Sequence, residues 1–221
     1  MSLWSDFQTN NGRVIHKWKH YFPIYERHFG RFVNRDVVFI EIGIGAGGSL
    51  QMWKRFLGPH ARIIGIDNNS RAATYAEDQI EIRIGDQSDV GFLAAVVEEF
   101  GPPDVVLDDG SHMMPHVVAS FTALYPRLSR NGVYLVEDLH TAYQDAYAGG
   151  LRRAGSFIEL CKELIDELNA DHSGGALAPT EFTRSTHSMH FYDSVAVFEK
   201  GRHTRKYAPQ IGSRAVPTGP T

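Results

Sequence analysis

Short apolar runs alternate with amphipathic stretches over residues 37–136. Each run has the length and the Val/Ile/Leu content of a buried β-strand, and the runs lie at 37–42, 62–66, 80–84, 104–107 and 133–136. Between them, apolar residues recur at helical spacing, as Leu50, Trp53 and Leu57 do before Gly58-Pro59. The alternation predicts an α/β fold, with a mostly parallel sheet and helices on both of its faces.

The last third of the chain has a different pattern. An amphipathic helix is indicated by the apolar stripe of Phe157, Leu160, Leu164 and Leu168. Residues 173–185 are rich in Gly, Ser, Thr and Pro, and they predict a mobile loop that is a candidate substrate lid. Two further runs, 187–192 and 195–199, predict a terminal antiparallel hairpin around Asp193-Ser194.

We expect three parts in the chain. Residues 1–30 are predicted to be an N-terminal helical segment that forms a pocket wall or a subunit contact, with a partly exposed helix over residues 16–21. Residues 31–204 form the α/β domain, and residues 205–221 a flexible tail without periodicity.

Composition narrows the class of protein. With 221 residues, 43% of them hydrophobic, the chain can form one sizeable core. A net charge of −4 argues against a nucleic-acid binder. A single cysteine, Cys161, excludes a disulfide framework within one chain and fits a reducing compartment. No apolar run has membrane-spanning length, so we expect a cytoplasmic protein without a membrane partner.

The first strand runs into a glycine-rich turn, which indicates a nucleotide-type cofactor. Gly43 and Gly45 allow a tight turn and close approach of a ligand, and with Gly48 they match G-x-G-x-x-G, a weak pattern when it stands alone. Asp67 ends the second strand, where an acid can bind a ribose hydroxyl. The candidate cofactor-binding residues, all near strand ends, are Glu41, Gly43, Gly45, Ser49, Asp67, Asp86, Gln87 and Asp108.

Two cofactors fit this pattern. The turn and Asp67 suit either NAD or S-adenosylmethionine. Asp86 and Gln87 at the third strand end are placed to contact an adenine edge, and no Tyr-x-x-x-Lys relay of short-chain dehydrogenases occurs in the chain. These residues favour S-adenosylmethionine, and an NAD-dependent oxidoreductase is the alternative.

Three acids follow the fourth and fifth strands. Asp109, Glu137 and Asp138 converge if these strands are neighbours, and unpaired acids in a cleft repel one another unless a cation relieves them. Oxygen ligands suit Mg²⁺, so the three residues are candidate metal ligands. The alternative is that one or two of them cap helices or contact the cofactor.

His112 lies three residues after Asp109 and is the candidate catalytic residue. Methyl transfer to a hydroxyl requires removal of its proton, and histidine is the usual general base near neutral pH. A hydrogen-bonded structural role is the alternative. A zinc site with His116 is disfavoured because His-Glu-x-x-His and a nearby thiolate are absent. His140 lines the pocket or has a structural role.

The motifs Asp-Asp-Gly-Ser-His at 108–112 and Glu-Asp-Leu-His-Thr at 137–141 resemble those of the Mg²⁺-dependent sugar O-methyltransferases of macrolide biosynthesis. The resemblance implies a class I methyltransferase fold with seven strands, S-adenosylmethionine as cofactor, and a homo-oligomer (dimer or tetramer). It also implies Mg²⁺ ligation by Asp109, Glu137 and Asp138, with His112 as base. Family members carry a further N-terminal region, so the resemblance does not identify the acceptor.

The sequence therefore predicts methylation of a hydroxyl on a small glycosylated metabolite. Three other hypotheses stay open. They are an NAD-dependent oxidoreductase, a catechol-type O-methyltransferase, and a catalytically silent cofactor-binding protein that acts as an interaction module.

Overall fold

A computed structural model describes residues 2–201 and 207–212. Their centre is a seven-stranded sheet in the order β3-β2-β1-β4-β5-β7-β6. The strands are β1 (Val38–Ile42), β2 (Arg62–Asp67), β3 (Ile80–Ile84), β4 (Val105–Asp108), β5 (Val133–Val136), β6 (Thr186–Tyr192) and β7 (Val195–Lys200). The first five pair in parallel, whereas β7 pairs antiparallel with β5 and β6. The α/β prediction, including the terminal hairpin, is confirmed.

Seven α-helices accompany the strands in the described part of the chain. They are α1 (Leu3–Gln8), α2 (Phe22–Phe29), α3 (Gly48–Leu57), α4 (Val90–Phe100), α5 (Met114–Leu124), α6 (Phe157–Leu168) and α7 (Glu181–Ser185). Two apolar clusters cover the two faces of the sheet: α4, α5 and α6 contribute to one, and α1, α2 and α3 to the other. Within residues 2–201 and 207–212, no helix combines the length and the apolar character needed to cross a bilayer.

The strand register brings the ends of the central strands level. Ile42 lies opposite Asp108, and Asp108 lies opposite Val136. The backbone continues these pairs, because Asp109 N–H donates to Ile42 O (2.9 Å) and Glu137 N–H to Asp108 O (2.9 Å). The residues after β1, β4 and β5 therefore meet at one edge, where ligands bind in open parallel sheets.

Local structure differs from the sequence expectation in three segments. Residues 16–18 are irregular, and only a short 3-10 helix, Lys19–Tyr21, replaces the helix expected over residues 16–21. The pattern of residues 115–128 predicts one helix over that range, whereas helix α5 ends at Leu124 and continues as a 3-10 turn, Tyr125–Arg127. Within the expected loop at 173–185, residues 181–185 form α7, which Thr183 ties to α6 through a hydrogen bond to Glu167 O.

The division into three parts stays a prediction. The segment before residue 31 contains α1 and α2 and packs on the sheet through its aromatic residues. Of the expected flexible tail, residues 205–206 and 213–221 lie outside the described residues, and 207–212 form neither helix nor strand.

Candidate active site

The glycine turn after β1 lies against the loop after β4. Gly43 has φ +79°, and a β-carbon on it would collide with the backbone carbonyl of Asp109. Only glycine allows both this conformation and this approach. The turn leads into α3, whose N-cap residue Gly47 also has a left-handed backbone (φ 75°). The strand–turn–helix that the sequence predicted is therefore present, and its glycines let two strand-end loops touch.

A cavity of about 570 Å³ opens at this edge of the sheet. Its wall includes the turn residues Gly43 and Gly45, Asp67 from β2, and His112 and Asp138 from the loops after β4 and β5. A smaller cavity of about 180 Å³ shares Gly43, Asp67 and Gly110 with it and reaches Asp86 and Gln87. Together they have the size of a small-molecule site, for which pockets of about 300–1,000 Å³ are usual.

A buried lysine lies between three carboxylates at the base of the larger cavity. Lys17 Nζ is 2.7 Å from Asp109 Oδ2, 3.1 Å from Glu41 Oε1 and 3.1 Å from Glu137 Oε1. Its side chain is only 2% exposed. Burial lowers the pKa of Lys17, but the charges of Asp109, Glu137 and Glu41 outweigh burial and hold the pKa well above its ordinary value.

Further hydrogen bonds fix the two inner carboxylates. Ser49 Oγ donates to Glu41 Oε2 (2.8 Å), and Tyr25 Oη donates to Glu137 Oε1 (2.5 Å). Burial and the neighbouring charge of Asp109 raise the pKa of Glu137 well above its ordinary value. The charge of Lys17 acts in the opposite direction and lowers the pKa of Glu137, but it does not outweigh burial and the neighbouring acid.

The outer rim of this acid cluster carries His112. Its Nε2 is 3.9 Å from Asp109 Oδ1 and 3.7 Å from Asp138 Oδ2, distances too long for hydrogen bonds. These three atoms lie within 4.8 Å of one another, so they can share a metal ion. Tyr21 Oη donates to the other oxygen of Asp138, Oδ1 (2.7 Å).

Two rim residues have strained backbones. His112 has φ 58° and Asp138 has φ 54°, a left-handed conformation that side chains other than glycine rarely adopt. Such strain persists where the surrounding structure enforces it, and it concentrates at functional sites. Here it turns both side chains towards the same cavity.

The predicted cofactor residues separate into two groups. Gly43, Gly45, Ser49 and Asp67 line the larger cavity, and Asp86 and Gln87 line the smaller one. Asp67 Oδ2 accepts a hydrogen bond from Ile44 N–H (3.2 Å), which holds the acid at the turn. Glu41 and Asp108 line neither cavity, because both carboxylates are buried and paired within the protein.

Asp108 faces the opposite way from its neighbour. Its carboxylate accepts hydrogen bonds from Gln87 Nε2 (3.1 Å), Ser120 Oγ and Tyr134 Oη (3.1 Å). The Oε1 of Gln87 accepts from Ser111 N–H (2.6 Å), so Gln87 ties the end of β3 to the loop that carries His112. The structure thus gives Asp108 and Gln87 a supporting position behind that loop.

Sequence reasoning missed Lys17, Tyr21 and Tyr25. The basic and aromatic composition of residues 16–21 drew attention to the segment, but a helix there would have left Lys17 on a solvated face. His140 lies near the rim, with Nδ1 4.0 Å from Asp138 Oδ1, and its side chain is 40% exposed. His116 bonds Ser111 Oγ (3.0 Å), and among the described residues it joins no group with metal-binding geometry.

Known proteins match both the sequence and the fold. Residues 40–139 match the model of a methyltransferase domain family. The chain is 37% identical over 211 residues to the 8-demethyl-8-(2-methoxy-alpha-L-rhamnosyl)-tetracenomycin-C 3'-O-methyltransferase of Streptomyces olivaceus. This alignment covers 90% of this chain and 54% of that protein. It is 38% identical over 199 residues to the mycinamicin VI 2''-O-methyltransferase of Micromonospora griseorubida, in an alignment that covers 83% of this chain and 49% of that protein.

A solved structure agrees with these matches. The MycE methyltransferase of the mycinamycin biosynthetic pathway, in complex with Mg, SAH and mycinamycin VI, superposes with a TM-score of 0.78 at 36% identity. The match covers 90% of this chain and 53% of that chain. The chain spans about half the length of the curated relatives it matches. The shared fold, the domain match and the identity over most of its length show that this chain contains a methyltransferase domain, which is similar to those of the antibiotic sugar O-methyltransferases.

Proposed function

We propose that this protein is an S-adenosylmethionine- and Mg²⁺-dependent O-methyltransferase that acts on a hydroxyl of a small glycosylated molecule. One observation carries the proposal. His112 faces the same cavity as Asp109, Asp138 and the glycine turn, so a base, a metal-binding pair and a cofactor-binding turn share one site. The relatives at 37–38% identity are named as sugar O-methyltransferases, which supports the same reaction.

The residues around the glycine turn fit the cofactor. Gly45 has open space where a β-carbon would stand, so a ligand can lie against the backbone there. We propose that Asp67 binds the ribose hydroxyls and that Asp86, which lines the adjoining cavity, binds the adenine edge. Hydrogen bonds from Ser88 lower the pKa of Asp86, which keeps it an anionic acceptor. We propose that Glu41 acts indirectly, by holding Ser49 at the cavity wall.

The acid cluster fits a divalent cation. Lys17 bonds to Glu41, Asp109 and Glu137, and Asp138 is a fourth acid at the rim, so four carboxyl groups share one ammonium. Oxygen donors with partial exposure to solvent are the ligands that Mg²⁺ prefers, with water or substrate completing the shell. Asp109 Oδ1 and Asp138 Oδ2 face the cavity, and Glu137 lies deeper. We propose this acid group as the metal site.

S-adenosylmethionine would supply a sulfonium methyl group, and Mg²⁺ a positive charge beside the acceptor oxygens. His112 Nε2 takes the hydroxyl proton while the acceptor oxygen forms a bond to the methyl carbon and the carbon–sulfur bond breaks. The products are a methyl ether, the neutral thioether and a protonated His112. A general base of this kind contributes about 10²–10⁴-fold. Gln87 holds the loop that carries His112, and Tyr21 holds the carboxylate of Asp138.

The cavity wall suits a sugar ring. Trp18 lines the larger cavity together with His112 and Asp138, and it remains 55% exposed. Aromatic walls with a few fixed polar groups are typical of small-molecule sites. The relatives are named for rhamnosylated tetracenomycins and mycinamicin VI, so we propose a glycosylated polyketide as the acceptor class.

Two measurements test this function in sequence. The first is thermal unfolding in magnesium buffer with S-adenosylmethionine, with NAD in parallel. A ligand at 100 times its Kd adds about 2.7 kcal/mol, a rise in Tm of roughly 5–11 °C for a chain of this size. A shift with NAD alone would overturn the reaction class.

The second measurement is methyl transfer from labelled S-adenosylmethionine to rhamnosylated polyketides and macrolides. Catechol is the parallel acceptor, and each reaction is run with and without chelator. We expect labelled glycosides in magnesium only. Labelled catechol without labelled glycosides would favour catechol-type methylation, and full activity in chelator would contradict the metal site. Cofactor binding without turnover of any acceptor would favour a silent binding protein.

Assembly and location are further parts of the proposal. We propose a homo-oligomer, dimer or tetramer, in the cytoplasm, with the small-molecule acceptor as the main partner. Light scattering coupled to gel filtration measures the assembly, and a monomer at micromolar concentration would contradict it.

A further inference from the structure

We infer that Lys17 is a resident cation that competes with the divalent metal for Glu137 and for the inner oxygen of Asp109, and thereby sets the metal affinity of the site. This inference rests on the proposed function, because it assumes a divalent cation at the rim. Lys17 Nζ contacts both Glu137 oxygens (3.1 and 3.2 Å) and Asp109 Oδ2 (2.7 Å). No oxygen of Asp138 and no atom of His112 is among its partners in the described part of the chain.

The cluster divides into inner and outer atoms. The inner oxygens belong to Glu41, Glu137 and Asp109 Oδ2, all bonded to Lys17. The outer atoms are Asp109 Oδ1, His112 Nε2 and Asp138 Oδ2. His112 Nε2 lies 3.9 Å and 3.7 Å from the two oxygens, too far for a hydrogen bond. Asp109 belongs to both groups, one oxygen to each, so a cation at the rim and the Lys17 ammonium pull on the same carboxylate.

Electrostatics make the competition strong. The lysine side chain is 2% exposed and the Glu137 side chain 2% exposed, so water screens their interaction weakly. A divalent ion brought to the rim is repelled by the ammonium and attracted by the same carboxylates. Removal of the ammonium leaves four acids and frees Glu137 as a ligand, so a metal ion should bind more tightly and closer to Glu137.

The segment that carries Lys17 is held in place by other contacts. Arg13 Nη1 donates to Tyr75 O (3.0 Å), and Arg13 N–H donates to Gln51 Oε1 (3.1 Å). A β-carbon on Gly48 would collide with the carbonyls of Arg13 and Val14, so the segment lies directly on the start of α3. These contacts do not involve the lysine side chain, and we expect the backbone to keep its path when Lys17 is replaced.

The test is Mn²⁺ binding to the full chain, measured by calorimetry and by electron paramagnetic resonance without acceptor. We expect Lys17→Met to raise the Mn²⁺ affinity about tenfold or more, because a buried unit charge beside the ion is removed. Lys162→Met is the matched control, since it removes one positive charge from the exposed face of α6 and should leave the affinity unchanged. Lys17→Gln keeps a donor for the carboxylates and should shift the affinity in the same direction.

A double-mutant cycle identifies the residue that is set free. In the Glu137→Gln background, Lys17→Met should raise the Mn²⁺ affinity by a smaller factor than in the wild-type background, because only Asp109 Oδ2 is then set free as an acid. A merely structural role of Lys17 would lower the affinity or leave it unchanged, and either result overturns the inference. A gain of the same size in the Glu137→Gln background also overturns it. If both Lys17 variants are unfolded, saturating Mn²⁺ should refold them, and failure to refold in Mn²⁺ contradicts a cation role.

The outcomes separate this inference from the proposed function. Binding of S-adenosylhomocysteine without any Mn²⁺ binding in the wild-type protein would refute the metal site itself. Mn²⁺ binding to the wild-type protein, with equal affinity in Lys17→Met, would refute only the competition by Lys17.

Discussion

Two histidine–carboxylate clusters lie in opposite surroundings. In the hairpin cluster, His28 Nδ1 is 2.8 Å from Glu199 Oε1 and Nε2 is 2.9 Å from Tyr192 Oη, and the His28 side chain is 2% exposed. At the cavity rim, His112 is 22% exposed and lies 3.7–3.9 Å from its two acids. Both clusters have distances compatible with a metal ion. Of the two histidines, His112 is the one whose nitrogen has no hydrogen-bond partner among the described residues and lies beside a cavity.

Hydrogen bonding distinguishes a histidine that supports the fold from one that is free to act on a substrate. Both ring nitrogens of His28 are already paired with protein groups, and they link α2 to the hairpin strands β6 and β7. A fully satisfied buried network rigidifies the fold. His112 has no such partner, and its backbone is strained. A group held without a partner at a cavity is available to a substrate.

The largest expected effect is on turnover at the rim. We expect His112→Ala to lower kcat about 10²–10⁴-fold, because the hydroxyl proton loses its acceptor. Mn²⁺ affinity should stay close to that of the wild-type protein. His60→Ala, at an exposed position after α3, is the control. Turnover equal to wild type would remove His112 from the reaction, and a loss of Mn²⁺ affinity would make it a metal ligand instead.

The corresponding change in the hairpin cluster should act on stability. His28→Ala leaves Glu199 and Tyr192 without their partner, at a cost of about 1–3 kcal/mol in the free energy of unfolding. Urea unfolding measures this loss, and the affinity for S-adenosylhomocysteine should be unchanged. A stable variant that lost cofactor binding would break the distinction between the two clusters.

The hairpin cluster should also make stability depend on pH. The hydrogen bond from His28, together with the charge of Arg31, lowers the pKa of Glu199 from 4.5 to about 2 against the effect of burial. A carboxyl whose folded pKa is lowered stabilises the fold above its ordinary pKa and loses that contribution as pH falls through the folded value. We expect a loss of about 1–2 kcal/mol between about pH 4.5 and pH 2, after allowance for solvent screening.

Glu199→Gln tests this dependence. The variant should be less stable than wild type at pH 6, and the two unfolding curves should approach each other near pH 2. Parallel curves across this range would show that Glu199 keeps an ordinary pKa in the folded protein.

The smallest expected effect concerns one hydroxyl. Tyr192→Phe removes the hydrogen bond with His28 Nε2 and should lower the unfolding free energy by about 1 kcal/mol. Differential scanning calorimetry would record a fall in Tm of about 2–4 °C. Tyr207→Phe, at an exposed position beyond β7, is the control and should leave Tm unchanged. A fall as large as that of His28→Ala would mean that Tyr192, and not Glu199, is the main partner.

Much of the fold could be predicted because its signals are local. Apolar runs of four to six residues and the glycines between Ile42 and Ser49 predicted the parallel sheet and its strand–turn–helix. The position of the acids at strand ends followed from the same pattern, because parallel strands end at one edge. The helix expected over residues 16–21 was wrong because tertiary contacts override a weak local preference.

The sequence spacing could not predict which acids face the cavity and which are paired within the protein. Asp108 and Asp109 are adjacent, yet one is bonded to Ser120 and Tyr134 and the other to Lys17. Successive residues of a strand point to opposite faces of the sheet, so the side chains of Asp108 and Asp109 lie on opposite sides. Which of these sides holds a cavity depends on how the helices pack. Glu41 faces Lys17 for the same reason, and it is closed off from ligand by the segment that carries the lysine.

By itself, the sequence determined the type of sheet, the glycine turn and the acidic character of one sheet edge. Each depends on residues close together in the chain, whose period and backbone preferences act locally. The tertiary structure alone decided that Lys17 enters the acid cluster, because it is separated by 92 residues from Asp109 and by 120 from Glu137. A buried charge pair over such a separation forms only when packing excludes water from both partners, and no local pattern records that packing.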